Sequence, residues 1–319
     1  MTATAIIDPF HPAIAQTIRE SLPGDWTLTA AGEPTPKARA AAVAKAEIVF
    51  VMATPMPADL LQVAPKLKFI QKLGVGVDRI DTSYCAKNGI AVARLQAGNA
   101  IPVAEHTVMM ILAACRRLVM LDRETRAGAW DKEASRGVNR HIHGKRIGIV
   151  GFGAIGRQVA QVLSGFGVEI AYFDPFPAPP EVEQQLRARR MELDEVVSTS
   201  DIVSLHLPLT DETRGLIGPE RIARMKPDAI LVNCARGGLV DETALAAALS
   251  EGRLLGAAID TFSVEPPVGN PLLDLDTVTV SPHCAGATLD NFAAVMARAV
   301  ENAQAHLAGQ PLPPADVVV

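Results

Sequence analysis

Residues 146–156 read RIGIVGFGAIG. The apolar run RIGIV is typical of a buried β-strand, and glycines with the spacing G-x-G-x-x-G follow it directly at Gly151, Gly153 and Gly156. The next residues, RQVAQVL, continue with the apolar spacing of a helix. A strand, a glycine turn and a helix in this order are typical of dinucleotide-binding units. The stretch therefore predicts an α/β fold with a doubly wound parallel sheet, the Rossmann architecture.

The glycines and a later aspartate predict which cofactor is bound. Gly151 permits a tight turn, Gly153 lets the backbone approach a pyrophosphate, and Gly156 lets the helix pack closely on the strand. The helix N-terminus adds free N–H groups and the positive end of the helix dipole. Asp174 ends the next strand pattern, where its carboxylate can accept hydrogen bonds from a ribose diol and repel a 2′-phosphate. No basic residue follows it directly, so we expect NAD rather than NADP.

Alternating strand and helix patterns fill both halves of the chain and predict two parallel sheets. The strand patterns lie at 3–8, 46–51, 67–71, 90–92, 146–151, 168–174, 201–207, 229–234, 255–262 and 277–281. One continuous helical pattern runs from Pro102 to about Arg126, and a helical tail from about Thr288 to Leu307 is expected to return to the first domain. Arg187, Arg189 and Arg190 are interpreted as a solvated helix face. We predict a first domain of residues 1–98 and 288–319 and a cofactor domain of residues 99–287.

Composition excludes several classes of function. The chain has 319 residues, of which 49% are hydrophobic and 20% charged, with a net charge of −5. Its basic residues are scattered, so no nucleic-acid partner or anionic membrane surface is expected. No secretory leader or membrane-spanning pattern is found, which predicts a cytoplasmic protein with a small-molecule partner. The cysteines have no CxxC spacing and the HIH at 141–143 has no neighbouring ligands, so neither disulfides nor a metal is expected.

Three chemically useful side chains follow three strand patterns of the cofactor domain. Arg236 lies in NCARGGLVDE (233–242), Glu265 in DTFSVEPP (260–267) and His283 in SPHCAGAT (281–288). Because the carboxyl ends of parallel strands meet at one edge of a sheet, we expect these side chains to converge there. Arg236 can bind a carboxylate and His283 can exchange a proton with a carbonyl oxygen, while Glu265 can orient the imidazole and favour its protonated form. Together they predict hydride transfer between a 2-oxo acid and a 2-hydroxy acid.

These blocks resemble the signature motifs of the D-isomer-specific 2-hydroxyacid dehydrogenases, the family that includes glyoxylate and hydroxypyruvate reductases. The resemblance extends to KLGVGVDRID (72–81) and GNAIPVAEH (98–106), so it covers nearly the whole chain. It implies that Arg236, Glu265 and His283 are the catalytic residues. It also implies a smaller, discontinuous, flavodoxin-like substrate domain and a homodimer built through the cofactor domain.

The resemblance further implies contacts that spacing alone does not predict. Those with the cofactor are Ala154 and Ile155 at the pyrophosphate, Cys234 and Ala235 near the nicotinamide ribose, Asp260 at the carboxamide, and Gly286 beside the ring. In the first domain, the backbone N–H groups of Val75 and Gly76 are expected to bind the substrate carboxylate.

Two alternatives stay open beside a reductase of glyoxylate, hydroxypyruvate or pyruvate. The first is an enzyme similar to phosphoglycerate dehydrogenases, although these usually place Arg near the segment that here reads VMATPMPADL (51–60). The second is a non-catalytic NAD-sensing protein similar to the transcriptional corepressors built on this fold, because fold by itself does not determine function.

Overall fold

The computed structural model describes residues 1–10, 12–96 and 98–319 and divides the chain into two units. Unit 1 comprises Met1–Asn99 and Ala287–Val319, and unit 2 comprises Ala100–Gly286. The strands are β1 (Thr2–Ile6), β2 (Trp26–Ala30), β3 (Ile48–Val51), β4 (Phe69–Lys72), β5 (Ala91–Ala93), β6 (Arg146–Val150), β7 (Glu169–Phe173), β8 (Ala188–Arg190), β9 (Ile202–Leu205), β10 (Ile230–Asn233), β11 (Gly256–Ile259) and β12 (Val278–Val280). The α-helices are α1 (Pro12–Ser21), α2 (Pro36–Val43), α3 (Ala58–Gln62), α4 (Thr82–Lys87), α5 (Ala100–Cys115), α6 (Leu118–Arg126), α7 (Lys132–Val138), α8 (Ala154–Leu163), α9 (Pro180–Leu186), α10 (Leu193–Thr199), α11 (Pro219–Arg224), α12 (Glu242–Ser250) and α13 (Leu289–Leu307).

Unit 1 is built on a parallel sheet with the strand order β2-β1-β3-β4-β5, which is the flavodoxin-like order. Strand β3 reads IVFV and is buried on both faces, as a central parallel strand requires. Val49 contributes to a core with helices α2, α3 and α4, while Phe50 packs in a second core with α13. The helical tail therefore belongs to the first sheet, because its apolar stripe covers one face of it.

Unit 2 is built on a seven-stranded parallel sheet with the order β12-β11-β10-β9-β6-β7-β8. The direction of winding reverses between β6 and β9, which is the switch point of a doubly wound sheet. One core packs against α5 and α8, and the other packs against α10, α11 and α12. The predicted fold class, a Rossmann sheet plus a smaller flavodoxin-like α/β domain, is confirmed.

Several local predictions were wrong. Strands β2 and β8 had no predicted counterpart because both are edge strands with mostly half-exposed or exposed residues and so lack a continuous apolar run. The helical pattern from Pro102 to Arg126 is two helices, because Arg117 takes a left-handed φ of 50° and donates from Nη2 to Leu255 O at 2.7 Å. Arg189 and Arg190 lie on β8 rather than on a helix face.

The sequence pattern of residues 11–21 also predicts a helix. His11 lies outside the described residues, and α1 covers the remainder. Among the helices that the structure describes, none is both long enough and apolar enough to span a bilayer.

Candidate active site

The glycine turn after β6 leaves open space at the start of α8. Gly151 has a φ of +94°, and a Cβ there would lie 2.6 Å from His206 O. A Cβ on Gly156 would lie 2.2 Å from Gly151 O, so only glycine allows α8 to start this close to β6. Gly153 has nothing within 4 Å of its Cβ position, and Ala154 and Ile155 begin α8 directly behind it. The open cradle at a helix N-terminus fits a dinucleotide pyrophosphate.

Asp174, directly after β7, is bound to the glycine turn. Its Oδ2 accepts from Phe152 N at 2.7 Å and its Oδ1 accepts from Phe176 N at 2.9 Å. The side chain of Arg190 donates to Asp174 O from Nε and Nη2, at 3.3 and 3.1 Å. The structure thus places a half-buried residue, Asp174, beside the turn and an exposed one, Arg190, next to it.

His283 and Glu265 form a hydrogen-bonded pair. His283 Nδ1 lies 2.9 Å from Glu265 Oε1, with the side chains 39% and 17% exposed. Glu265 Oε1 also accepts from Phe262 N at 3.3 Å. The backbone of His283 has a left-handed φ of 52° and donates to Asp260 O at 2.7 Å, so the loop after β12 holds the imidazole in one orientation. The Nε2 atom is the one left to exchange a proton with a ligand.

Arg236 follows β10 on a loop packed against the loop that follows β11. Its Nη1 donates to Ala235 O at 2.7 Å, and its carbonyl accepts from Asn233 Nδ2 at 2.8 Å. A Cβ at the next residue, Gly237, would lie 1.9 Å from Phe262 C, so the two loops touch through backbone. Arg236 as a residue is half-buried. Arg236 and Glu265 therefore lie on two loops that follow neighbouring strands, and the backbones of these loops are in direct contact.

Asp260 organises the loop that carries His283. It is fully buried, its Oδ1 accepts from Ser281 Oγ at 2.6 Å and Cys284 N at 2.9 Å, and its Oδ2 accepts from Ala285 N at 3.1 Å. Of its neighbours, His106 on α5 was not identified from the sequence as part of the site. Its Nε2 lies 3.0 Å from Ser281 Oγ and 3.6 Å from Asp260 Oδ1. No local sequence signal links His106 to a loop so distant along the chain.

His106, Asp260 and Cys284 also bring one potential metal-ligand atom each to within 4.8 Å of one another. The Asp260 carboxylate in this trio already receives hydrogen bonds from the serine and from two backbone amides, and it supports the His283 loop through them.

A pocket of about 440 Å³ lies in unit 2 against the His283–Glu265 pair. The residues that line it are Asp260, Phe262, Glu265, Pro266, Pro267, Leu273, Val280, Ser281, Pro282 and His283. Its wall is mainly apolar, which raises the strength of charge interactions at the pair.

The two cysteines of these loops are not activated. Burial, with the nearby Asp260 charge as a smaller cause, raises the pKa of the Cys234 thiol to about 12. Burial also raises the pKa of Cys284, with Asp260 again a second cause. Both remain neutral thiols near neutral pH, so neither is placed to act as a nucleophile.

In unit 1, the predicted carboxylate-binding amides lie on the loop that follows β4. Within the described residues, neither Val75 N nor Gly76 N is paired with another backbone carbonyl. On the same unit, Lys72 Nζ donates to Met52 O and Arg79 Nη1 donates to Ala53 O at 3.3 Å. The sequence interpretation did not single out these two cations.

Comparison with known proteins identifies relatives of this chain. Residues 108–285 match the family model of the D-isomer specific 2-hydroxyacid dehydrogenase, NAD binding domain. A D-3-phosphoglycerate dehydrogenase of Methanocaldococcus jannaschii is 42% identical over 74% of this chain and 44% of its own length. A glyoxylate reductase of Korarchaeum cryptofilum is 37% identical over 84% of this chain and 81% of its own length. The crystal structure of a putative D-isomer specific 2-hydroxyacid dehydrogenase, NAD-binding, from Polaromonas sp. JS6 66 superposes with a TM-score of 0.89, at 28% identity and with both chains fully covered.

A Rossmann sheet with an open glycine cradle, a carboxylate bound to that turn and a histidine–carboxylate pair defines a dinucleotide-binding protein of the dehydrogenase class. The chain belongs to the D-isomer specific 2-hydroxyacid dehydrogenase family, and its matched segment is that family's NAD-binding domain. It spans about half the length of the phosphoglycerate dehydrogenases that it matches.

Proposed function

We propose that the protein is an NAD-dependent dehydrogenase that interconverts a small 2-oxo acid and the D-isomer of its 2-hydroxy acid. The observation that carries this proposal is the 2.9 Å contact between His283 Nδ1 and Glu265 Oε1, on the sheet edge that also carries Arg236. A carboxylate on Nδ1 fixes the orientation of the imidazole and leaves Nε2 facing outward, as a proton donor to a carbonyl oxygen needs.

Each site residue has a separate role in the proposed reaction. NADH, when bound, supplies the hydride that reduces the substrate carbonyl carbon. His283 Nε2 gives its proton to the carbonyl oxygen and takes it back in the opposite direction, while Glu265 stabilises the charged imidazole. Arg236 binds the substrate carboxylate through its planar fork of donors. In unit 1, the amides of Val75 and Gly76 stay proposed as carboxylate-binding groups.

The cofactor contacts extend along the carboxyl edge of the second sheet. Gly151, Gly153 and Gly156 shape the cradle, and Asp174 accepts from the ribose. The remaining proposed contacts are Ala154 and Ile155 at the pyrophosphate, Cys234 and Ala235 near the nicotinamide ribose, Asp260 at the carboxamide and Gly286 beside the ring.

We infer a preference for NAD over NADP from Asp174. Its carboxylate is fixed by Phe152 N and Phe176 N, so a 2′-phosphate would meet a negative charge that is unable to turn away. Replacement of Asp174 by Ala removes that charge and leaves Arg190 next to the site, so NADPH use should rise relative to NADH. Better use of NADPH by the unchanged protein would contradict the inference.

The substrates proposed first are glyoxylate, hydroxypyruvate and pyruvate-like acids. A phosphorylated 2-oxo acid is the second candidate, favoured by the identity to phosphoglycerate dehydrogenases and by the cations Lys72 and Arg79 on unit 1. A panel of 2-oxo acids with and without a phosphate, compared by kcat/KM with NADH and NADPH, tests both. Absence of NADH oxidation across the whole panel would refute the enzyme assignment.

We also propose a homodimer built through unit 2. Apolar side chains on α5, α6 and the segment before α7 are exposed, most of all Trp130, at 89%. The others are Ile101, Met109, Leu118 and Val119. Exposed apolar surface of this kind marks protein contacts, and a two-fold pairing covers the same surface on both copies. Sedimentation equilibrium that yields a monomer at micromolar concentration would exclude it.

A further inference from the structure

Glu242 is the first residue of α12, but the hydrogen bonds of its side chain lie outside that helix. Asp241 already caps α12, since its side chain accepts from Ala244 N at 2.9 Å. The Glu242 carboxylate instead reaches the loop that follows β11. Its Oε1 accepts from both Ser263 N and Ser263 Oγ at 2.7 Å, and its Oε2 accepts from Asn270 Nδ2 at 2.5 Å.

The serine held by Glu242 also contacts the loop that follows β10. Ser263 Oγ accepts from Gly238 N at 3.1 Å. Beside this bond, the backbones of Gly237 and Phe262 are too close for any side chain at residue 237. A chain of hydrogen bonds therefore runs from Asn270 through Glu242 and Ser263 to the loop that carries Arg236.

The same serine is next to the backbone that orients Glu265. Phe262 N donates to Glu265 Oε1, the same oxygen that is hydrogen-bonded to His283 Nδ1. A shift of the 262–263 backbone thus changes the carboxylate that supports the imidazole. It also changes the contact with the arginine loop, because both loops meet at this point.

We propose that Glu242 is a positioning residue that couples the substrate-binding loop of Arg236 to the loop of Glu265. It touches neither substrate nor cofactor in this role and acts through Ser263 and Asn270. The inference rests on the proposed function, since it assigns Arg236 and Glu265 their places in the reaction. With asparagine at position 270, a carboxylate is required at position 242, because three donors converge on its two oxygens and an amide offers only one acceptor atom.

A simpler role for Glu242 is that of an acidic residue at a helix N-terminus, where it interacts with the helix dipole. The two roles differ in one consequence. The helix-dipole interaction depends on the charge at residue 242 and does not depend on which residue is at position 270. The coupling role depends on donor and acceptor matching between residues 242 and 270.

The test is a charge-swapped pair of variants. In Glu242→Gln, an amide nitrogen faces the Asn270 amide nitrogen, and in Asn270→Asp two carboxylate oxygens face each other. In the double variant, the amide introduced at position 242 donates to the carboxylate introduced at position 270. That carboxylate still accepts from Leu272 N, which Asn270 Oδ1 binds at 3.0 Å in the unchanged protein. Each single change should lower kcat/KM for the 2-oxo acid by about 10- to 100-fold, as small misplacements of catalytic groups do. The double variant should return to within about threefold of the unchanged protein.

Two further measurements separate positioning from loss of folding. NADH affinity should be the same in all variants, and backbone hydrogen exchange of residues 262–270 should be faster in both single variants and normal in the double variant. Asp241→Ala is the matched control: it removes the side-chain cap of α12 next to Glu242, so it should lower thermal stability without lowering kcat.

Failure of the double variant to recover, or full activity in either single variant, would overturn the coupling. If the unchanged protein reduces no 2-oxo acid, the proposed function fails separately, and hydrogen exchange decides the coupling. Faster hydrogen exchange of residues 262–270 in both single variants, with normal exchange in the double variant, then supports the coupling. Unchanged exchange in all three variants overturns it.

Discussion

Replacement of Asp260 by Asn should destabilise unit 2 by about 2–4 kcal/mol. The carboxylate is 0% exposed and receives three donors, from Ser281 Oγ, Cys284 N and Ala285 N. An amide keeps one acceptor oxygen, so in its better orientation its NH₂ group faces Ala285 N. The two bonds to the remaining oxygen each weaken by about 1 kcal/mol as the acceptor becomes neutral, and the buried amide of Ala285 loses its acceptor at a cost of about 1–3 kcal/mol. Relief from burying a charge offsets part of this.

Urea unfolding followed by far-UV circular dichroism measures the effect, which for a domain of this size corresponds to roughly 5–15 °C in Tm. Ser281→Ala is the graded control. It removes one of the three bonds and leaves the charge with the other two, so it should cost about 1.5 kcal/mol, less than Asp260→Asn. The reasoning fails if Asp260→Asn stays within about 1 kcal/mol of the unchanged protein, or if Ser281→Ala costs as much.

Three further outcomes are expected. His283→Ala should lower kcat by about 10²–10⁴-fold with NADH affinity kept, and near-normal turnover would remove its assigned role. Gly156→Ala should lose about 1–3 kcal/mol of stability together with NADH binding, because its Cβ would meet Gly151 O at 2.2 Å. Gly153→Ala, whose Cβ position is open, should weaken NADH binding alone. Calorimetry measures the stability of each variant and fluorescence titration measures its NADH binding. Cys234, with a pKa raised to about 12 by burial, should resist iodoacetamide near neutral pH and react only as the pH approaches that value or the protein unfolds; labelling as fast as a free thiol would contradict this.

The parts of the fold that could be predicted from sequence are those with strong local patterns. Central strands such as β3 and β10 are continuous apolar runs because both of their faces are buried. Edge strands β2 and β8 were missed because exposure lets polar residues interrupt the run. The break between α5 and α6 was also missed: residues 116–117 are both arginine, and a helix accepts arginine readily unless a distant acceptor such as Leu255 O competes for it.

The sequence by itself determined the glycine turn and the parallel architecture, and it predicted the convergence of Arg236, Glu265 and His283, because strand periodicity places the residues after each strand at one edge of the sheet. Only the tertiary structure decided which groups hold them there. His106 supports the His283 loop through Ser281 and Asp260, and Glu242 connects two loops through Ser263. These contacts join residues far apart along the chain through single hydrogen bonds. Such bonds leave no period or local composition in the sequence, since their partners become neighbours only after the sheet has formed.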